Sequence, residues 1–118
     1  MRRPVKRVAA MMVFVLPALI WGSSLDASAQ GLEQQQTLGM GLFNQHCRVC
    51  HTKPLLTSGQ YGPVLSKTSL GGEDRALHEF IANGTPRMPG FKFSFKPAEI
   101  DAIVAFLRTV PAPSVSAQ

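Results

Sequence analysis

Apolar residues follow a helical spacing most clearly from Pro97 to Val110. Turned by about 100° per residue, the apolar side chains of this stretch fall within an arc of about 160°. Pro97 suits the first helical position, and Glu99 lies in the first turn, where the helix dipole favours negative charge. The pattern predicts a helix with a core-facing side made of Ile100, Ile103, Val104, Phe106, Leu107 and Val110.

A second helix is predicted over residues 73–83. Leu77, Phe80 and Ile81 share one face of it, which we expect to be buried. Gly84 follows as the residue at which the helix stops.

The first helix is the weakest of the three and is predicted over residues 37–46, after a frayed polar segment at residues 30–36. Gly39 and Gly41 lower its helix propensity, which a close approach by another helix backbone would explain. Met40 is expected to lie in the core, on the side of Cys47.

Two long loops, over residues 52–67 and 85–96, join these helices. Phe91 to Phe95 alternates apolar and polar residues, which is a strand signal, but no second segment is available to pair with it. We therefore expect the aromatic residues to surround something large and apolar. Loops of this length in a small domain call for a ligand that organises them.

The N-terminal segment has the order of a secretory signal peptide: basic residues, an apolar run from Val8 to Trp21, and a small-residue site ending at Ala29. We expect residues 1–29 to be removed after export by the Sec route, which places the mature chain in the periplasm with no membrane span. The apolar run is short and contains Pro17. An uncleaved N-terminal anchor is the alternative.

Cleavage changes the charge of the chain. The formal net charge of the whole sequence is +5, but residues 30–118 keep eight basic and six acidic residues, a net charge of +2. A nucleic-acid partner is therefore not expected, since most of the excess positive charge that would bind it is removed with residues 1–29. The remaining 89 residues bury a small core, and such domains usually need an additional covalent or metal-based restraint.

Cys47, Cys50 and His51 form a C-x-x-C-H motif, the signature of covalent haem c attachment. Two thiols three positions apart reach the two vinyl groups on one porphyrin edge, and the next residue brings an imidazole to the iron. A redox disulfide is less favoured because no strand precedes the motif. A zinc site would need four ligands in a tetrahedron, and a chance match is the remaining alternative.

The second axial ligand is predicted to be Met88, in the Pro-rich loop from Gly84 to Phe91. A thioether on such a loop is held rigidly, and His/Met ligation favours electron transfer. The alternative is that Met88 only fills a gap in the core.

These motifs, in this order over residues 39–107, resemble the small monohaem class I cytochromes c of bacteria. The resemblance implies an all-α cytochrome c-like fold, with about three helices and long loops around one covalent haem, over residues 30–110. Residues 111–118 are then a disordered tail. The resemblance also implies that the Pro63 carbonyl accepts Nδ1–H of His51, and that Tyr61 contacts a haem propionate. Gly39 and Phe43 would meet Phe106 where the first and last helices cross, and Lys96 departs from the usual Ser or Thr helix cap.

The leading functional hypothesis is a periplasmic electron carrier, not itself an enzyme, that exchanges electrons with redox partner proteins as a monomer or within a complex. A dedicated subunit of a periplasmic dehydrogenase or oxidase complex is the second hypothesis. A haem enzyme or gas sensor with an open iron site is the third. Arg48, Lys53, Arg87 and Lys92 either steer an acidic partner or are ordinary solvated residues. His46 and His78 are expected on the surface.

Overall fold

A computed structural model of the chain describes residues 23–52 and 59–114. Four α-helices follow one another in the described residues: α1 (Ser23–His46), α2 (Arg48–His51), α3 (Asp74–Asn83) and α4 (Pro97–Leu107). A short 3₁₀ turn, Ser69–Gly72, precedes α3. None of the described helices combines the length and the hydrophobicity needed to cross a membrane.

The first helix is longer than predicted. It begins at Ser23 rather than at Thr37, and it runs through both the expected frayed segment and the predicted cleavage point after Ala29. The physical reason is that residues 27–36 are rich in Ala, Gln, Glu and Leu, which are good helix formers, and contain no proline. The remainder of the predicted signal peptide, residues 1–22, lies outside the described residues.

The crossing of α1 and α4 forms the centre of the fold. A Cβ at Gly39 would overlap the carbonyl group of Ala102 and lie 2.9 Å from the Ile103 nitrogen, so only glycine permits this approach. One turn further along, the rings of Phe43 and Phe106 pack with their centroids 5.5 Å apart. The expected crossing is therefore present, and it accounts for the weak helix propensity at Gly39.

The core is built mainly by α4, as its pattern predicted. Ile100, Ile103 and Leu107 are almost completely buried, and Leu77 and Ile81 of α3 pack against them. The prediction for Phe80 was wrong, because its side chain is 46% exposed and Ala82 is buried in its place. Helix α3 meets the core along the line of Leu77 and Ile81, and Phe80 lies beside that line.

Met40 is also not where the sequence placed it. Its side chain is 45% exposed. The residue before it, Gly39, faces α4, and a helix turns about 100° per residue, so Met40 points away from the crossing. Met40 therefore does not contribute to the core.

The C-terminal end of α4 is tied to both neighbouring elements. The Arg108 guanidinium donates to the Asp74 carboxylate over 2.5 Å and to the Lys67 carbonyl over 2.6 Å. The Lys67 N–H donates to the Val110 carbonyl. At its other end, α4 begins at Pro97, and the Glu99 carboxylate accepts the Lys96 N–H over 2.7 Å. The Glu99 side chain therefore caps the start of the helix, although residue 96 is Lys and not the usual Ser or Thr.

The segment from Phe91 to Phe95 is a turn and not a strand, as expected. The Phe91 carbonyl accepts the N–H groups of Ser94 and Phe95. The rings of Phe91 and Phe95 stack 5.2 Å apart and pack against the core. Phe93 is 94% exposed and, unlike Phe91 and Phe95, does not pack against the core; that the three rings surround one apolar group stays a prediction.

Candidate functional site

The three residues of the C-x-x-C-H motif lie on one tight turn at the end of α1. The Cys47 N–H still donates to the Phe43 carbonyl, which continues the hydrogen bonding of α1. The Cys47 carbonyl then accepts the N–H groups of Cys50, over 3.2 Å, and His51, over 3.1 Å. Residues three apart on a helical turn lie about 60° from each other around the axis, so both thiols leave the turn on one side.

The ring of His51 is oriented by a hydrogen bond from a distant part of the chain. Its Nδ1 atom lies 2.8 Å from the Pro63 carbonyl oxygen. A carbonyl can only accept, so Nδ1 carries the hydrogen, and in the neutral ring Nε2 then keeps its lone pair. This is the tautomer that a metal-bound histidine uses, with the second ring nitrogen held by a carbonyl. The resemblance implied the same pair of atoms.

Gly62 supports the other side of the same imidazole. Its N–H donates to the Cys50 carbonyl over 2.9 Å. A Cβ at this position would lie 2.9 Å from Cε1 and 3.0 Å from Nδ1 of His51. Glycine is therefore needed for the ring to reach Pro63. The only sequence signal for this role was the Gly-Pro pair itself, which indicated a turn but no contact with His51.

Met88 closes a tight turn after α3. The Thr85 N–H donates to the Met88 carbonyl over 2.8 Å, and the Met88 N–H donates to the Thr85 carbonyl over 3.2 Å. The hydroxyl of Thr85 accepts the Arg87 N–H over 3.3 Å. The Met88 side chain is half-buried and packs against the core. Hydrogen bonds of the turn therefore place the Met88 backbone, and packing against the core holds its side chain.

Residues 85–88, the Met88 turn, pack against the end of α3 through two facing glycines. Gly84 has a φ of +74°, and a Cβ there would lie 2.5 Å from both the Met88 carbonyl oxygen and the Gly90 nitrogen. A Cβ at Gly90 would lie 2.7 Å from the Asn83 carbonyl group. The Phe91 N–H then bonds the Ile81 carbonyl over 2.9 Å. The sequence indicated Gly84 as a helix stop, but not its contact with the Met88 turn.

Tyr61 and Arg87 connect the two segments just described. The Arg87 guanidinium lies 5.1 Å from the centroid of the Tyr61 ring, and its Nη2 donates to the Tyr61 carbonyl over 3.4 Å. Tyr61 is 58% exposed. Among the hydrogen bonds and ring contacts of the described residues, these two join the Cys47–Pro63 segment to the Met88 turn. Sequence reasoning had treated Arg87 only as a surface charge.

The Cys47 thiol is buried, whereas Cys50 is partly exposed. Burial, and to a smaller extent the neighbouring Cys50, raise the pKa of Cys47 from 9.0 to about 11. The thiol therefore stays protonated at neutral pH in the folded chain. Since the thiolate is the reactive form, Cys47 is a poor nucleophile once the chain has folded.

The other polar candidates make contacts with different partners. His46 is exposed, as expected, and packs edge-on against Phe95 with centroids 5.0 Å apart. His78 is half-buried and lies 3.5 Å from the Asp101 carboxylate. Lys53 falls outside the described residues. Within residues 23–52 and 59–114, no group of three or more His, Cys, Asp or Glu side chains is arranged to hold a metal ion.

A protein-family comparison decides the class of this site. The family model described as Cytochrome C oxidase, cbb3-type, subunit III matches residues 34–107, more than half of the chain. The chain belongs to this family of cytochrome c domains. The match contains both the Cys47–Pro63 segment and the Met88 turn. Comparisons with curated proteins and with solved structures found no match.

The family fixes the cofactor and the general chemistry. Cytochrome c domains of this kind bind haem c covalently, one haem to a domain, and transfer electrons through it. The predictions of an all-α cytochrome c-like fold and of a covalent haem c are thereby confirmed. A cytochrome c domain of this kind is typical of an electron carrier or of a subunit of an oxidase.

Proposed function

We propose that this cytochrome binds its haem through thioethers from Cys47 and Cys50, with His51 and Met88 as the axial ligands of the iron. The observation that carries the proposal is the 2.8 Å contact between Nδ1 of His51 and the Pro63 carbonyl. That contact leaves Nε2 as the coordinating atom, next to two thiols on the same turn. The donor set of two thiols, an imidazole and a thioether fits haem c.

The bound haem supplies a one-electron couple between Fe(III) and Fe(II). The protein residues hold the ligands still while the charge changes. The Pro63 carbonyl keeps the imidazole of His51 in one orientation, and Gly62 packs against the ring. The Met88 turn keeps the thioether half-buried and packed against the core, where it would be held next to the iron. Fixed ligands favour rapid electron exchange, and Met as a ligand raises the potential.

Tyr61 is proposed to contact a haem propionate. Its ring is exposed, and its backbone lies beside the Gly62–Pro63 pair that supports His51. The phenol is a hydrogen-bond donor with no protein acceptor among its described contacts.

The proposed location is the periplasm. The support is the N-terminal order of basic residues, apolar run and Ala29 site. Fractionation of the source cells, followed by N-terminal sequencing, should yield a periplasmic chain that begins at Gln30. A chain that keeps residues 1–29 in the membrane fraction would overturn this part of the proposal.

A diffusible carrier and a permanently bound subunit remain distinct candidates. The description of the matching family model, an oxidase subunit, fits the second only loosely. Size-exclusion chromatography of the native protein under mild conditions separates them. We propose the diffusible carrier and expect elution at the mass of a single haem-bearing chain. Co-elution of the haem with a larger oxidoreductase would favour the subunit.

The iron ligand is tested by Met88→Ala, with Met40→Ala as the matched control. Met40 lies on α1 with its side chain 45% exposed, so its loss should leave the haem site unchanged. Met88→Ala should lower the reduction potential and allow the reduced protein to bind carbon monoxide, because an axial position becomes open. Carbon monoxide binding by the unmodified protein, with no change of potential in Met88→Ala, would instead indicate an open-site haem enzyme or gas sensor.

A further inference from the structure

Resting on the proposed function, we propose that Arg87 is a positioning residue for the Met88 ligand. Its contacts with Tyr61 hold the Met88 turn against the segment that supports His51. The inference concerns a residue that touches neither ligand and acts on Met88 through the backbone of the turn.

The backbone contacts of the turn anchor it on one side only. Thr85 and Met88 bond to each other, and Gly84, Gly90 and Phe91 fasten the turn to the end of α3. These contacts set the shape of the turn. In the described residues they run to the end of α3, and none of them reaches residues 59–63, which support His51.

Arg87 supplies the contact on the opposite side. Its backbone is held inside the turn by the Thr85 hydroxyl, 3.3 Å from its N–H. Its side chain crosses to Tyr61, where the guanidinium stacks on the ring at 5.1 Å and Nη2 reaches the carbonyl oxygen at 3.4 Å. Arginine suits this role because a planar guanidinium can stack on an aromatic face and donate hydrogen bonds from its edge.

Tyr61, on which the Arg87 side chain stacks, is also held in place. Tyr61 precedes Gly62, whose N–H bonds the Cys50 carbonyl over 2.9 Å and which packs against His51. A continuous series of contacts therefore runs from Met88 through Arg87 and Tyr61 to Cys50 and His51. Motion of the Met88 turn away from this segment must break the Arg87–Tyr61 contact.

The chain provides a matched control in Lys92. Its ammonium group lies 5.3 Å from the Phe93 ring and 3.2 Å from the Asn83 side-chain oxygen. Lys92 thus makes a cation–aromatic contact and a hydrogen bond close to the Met88 turn, but both remain on the side of α3. Lys92→Gln removes the same charge as Arg87→Gln without loosening the contact with Tyr61.

The test uses the oxidised, haem-loaded protein and imidazole as a competing iron ligand. Displacement of Met88 is followed by loss of the weak near-infrared sulfur–iron band. Both contacts of Arg87 are at the surface, so the effect is modest. We expect Arg87→Gln to lower the half-saturating imidazole concentration about fivefold, equivalent to about 1 kcal/mol. Lys92→Gln should change it by less than about 1.5-fold.

A double-mutant cycle distinguishes positioning from a simple charge effect. Tyr61→Leu keeps the charge of Arg87 and removes the ring on which it stacks. When residue 61 is already Leu, Arg87→Gln should change the half-saturating imidazole concentration by much less than fivefold, because the two side chains form one contact. If Arg87→Gln accumulates poorly, Arg87→Lys should show about a twofold shift in the same direction.

Two results would overturn the inference while leaving the iron ligands as proposed. One is an unchanged imidazole affinity in Arg87→Gln, and the other is a full fivefold effect of Arg87→Gln that persists without the Tyr61 ring. The absence of the sulfur–iron band from the unmodified protein is a different outcome. It would overturn the His51/Met88 ligation itself.

Discussion

The described residues around His51 (47–52 and 59–63) and residues 84–91 are held in place by different kinds of interaction. In the first, a side chain is oriented directly: Nδ1 of His51 bonds the Pro63 carbonyl, twelve residues away in the chain. In the second, none of the hydrogen bonds among the described residues joins a side chain to Met88, and the turn is shaped by backbone bonds between Thr85 and Met88. The histidine is held by its ring, whereas the methionine is held by its backbone.

This difference follows from the chemistry of the two side chains. An imidazole has a second nitrogen that a carbonyl can hold, so a single hydrogen bond fixes both its tautomer and its orientation. A thioether is only a weak acceptor, so its direction has to be set by the chain that carries it. The His51 side should therefore be sensitive to covalent attachment, and the Met88 side to changes in backbone conformation.

The largest predicted difference between the two segments concerns covalent attachment of the haem. Cys47→Ser combined with Cys50→Ser should abolish covalent haem, because both thioethers are lost, whereas Met88→Leu should retain a full haem on every chain. Haem staining after denaturing electrophoresis measures this directly. Haem that stays bound through denaturation in the double serine variant would contradict the role given to the two cysteines.

The next largest difference between the two segments is expected from substitutions of their glycines. Gly84→Ala should lower the free energy of unfolding by about 2–3 kcal/mol, since residue 84 has a positive φ and its Cβ would meet the Met88 carbonyl. It should also weaken the sulfur–iron band. Gly62→Ala should cost about 1–2 kcal/mol through its contact with the His51 ring.

Gly41→Ala is the control for these glycine variants. A Cβ at Gly41 meets no atom within 4 Å, and the residue lies within α1. Alanine should therefore stabilise the protein by about 0.5–1 kcal/mol. Chemical denaturation of the haem-loaded proteins gives all three values. If Gly84→Ala were as stable as Gly41→Ala, the proposed packing of the Met88 turn would be incorrect.

The smallest contrast concerns two threonine hydroxyls. Thr85 accepts the Arg87 N–H over 3.3 Å inside the Met88 turn, and Thr109 donates to the Phe106 carbonyl over 2.7 Å at the end of α4. Replacement of either residue by Val should cost about 0.5–1 kcal/mol of stability. Only Thr85→Val should also make Met88 easier to displace by imidazole. An equal ease of displacement in both variants would show that the turn does not depend on Thr85.

Much of the fold could be predicted because its signals are local. The spacing of apolar residues in α4 identified the buried residues Ile100, Ile103 and Leu107, and Gly84 marked the end of α3. The glycine at position 39 indicated a close helix crossing before its partner was known. Each of these depends on helical geometry or on the properties of one residue.

The predictions that were wrong depended on tertiary packing. Phe80 lies on the apolar face of α3 by spacing, but the line of contact with α4 passes through Leu77 and Ile81. The start of α1 was placed too late, because the polar character of residues 30–36 was given more weight than their helix propensity. Periodicity identifies a face, and the neighbouring element decides which part of that face is covered.

The candidate site likewise combines features that local sequence reveals with contacts that depend on tertiary packing. The attachment motif and Met88 could be proposed from the sequence because residue type and spacing define them. The contact of Gly62 with the His51 ring and the contact of Arg87 with Tyr61 join residues 11 and 26 positions apart. No local pattern encodes such pairs, and they required the folded chain.

The central claim is that His51 and Met88 bind the same iron from opposite sides. The near-infrared absorption spectrum of the oxidised, haem-loaded protein tests it most directly. The account predicts a weak sulfur–iron band in the unmodified protein and in Met40→Leu, and its loss in Met88→Leu. A spectrum without the band, or a band that persists in Met88→Leu, would contradict the account.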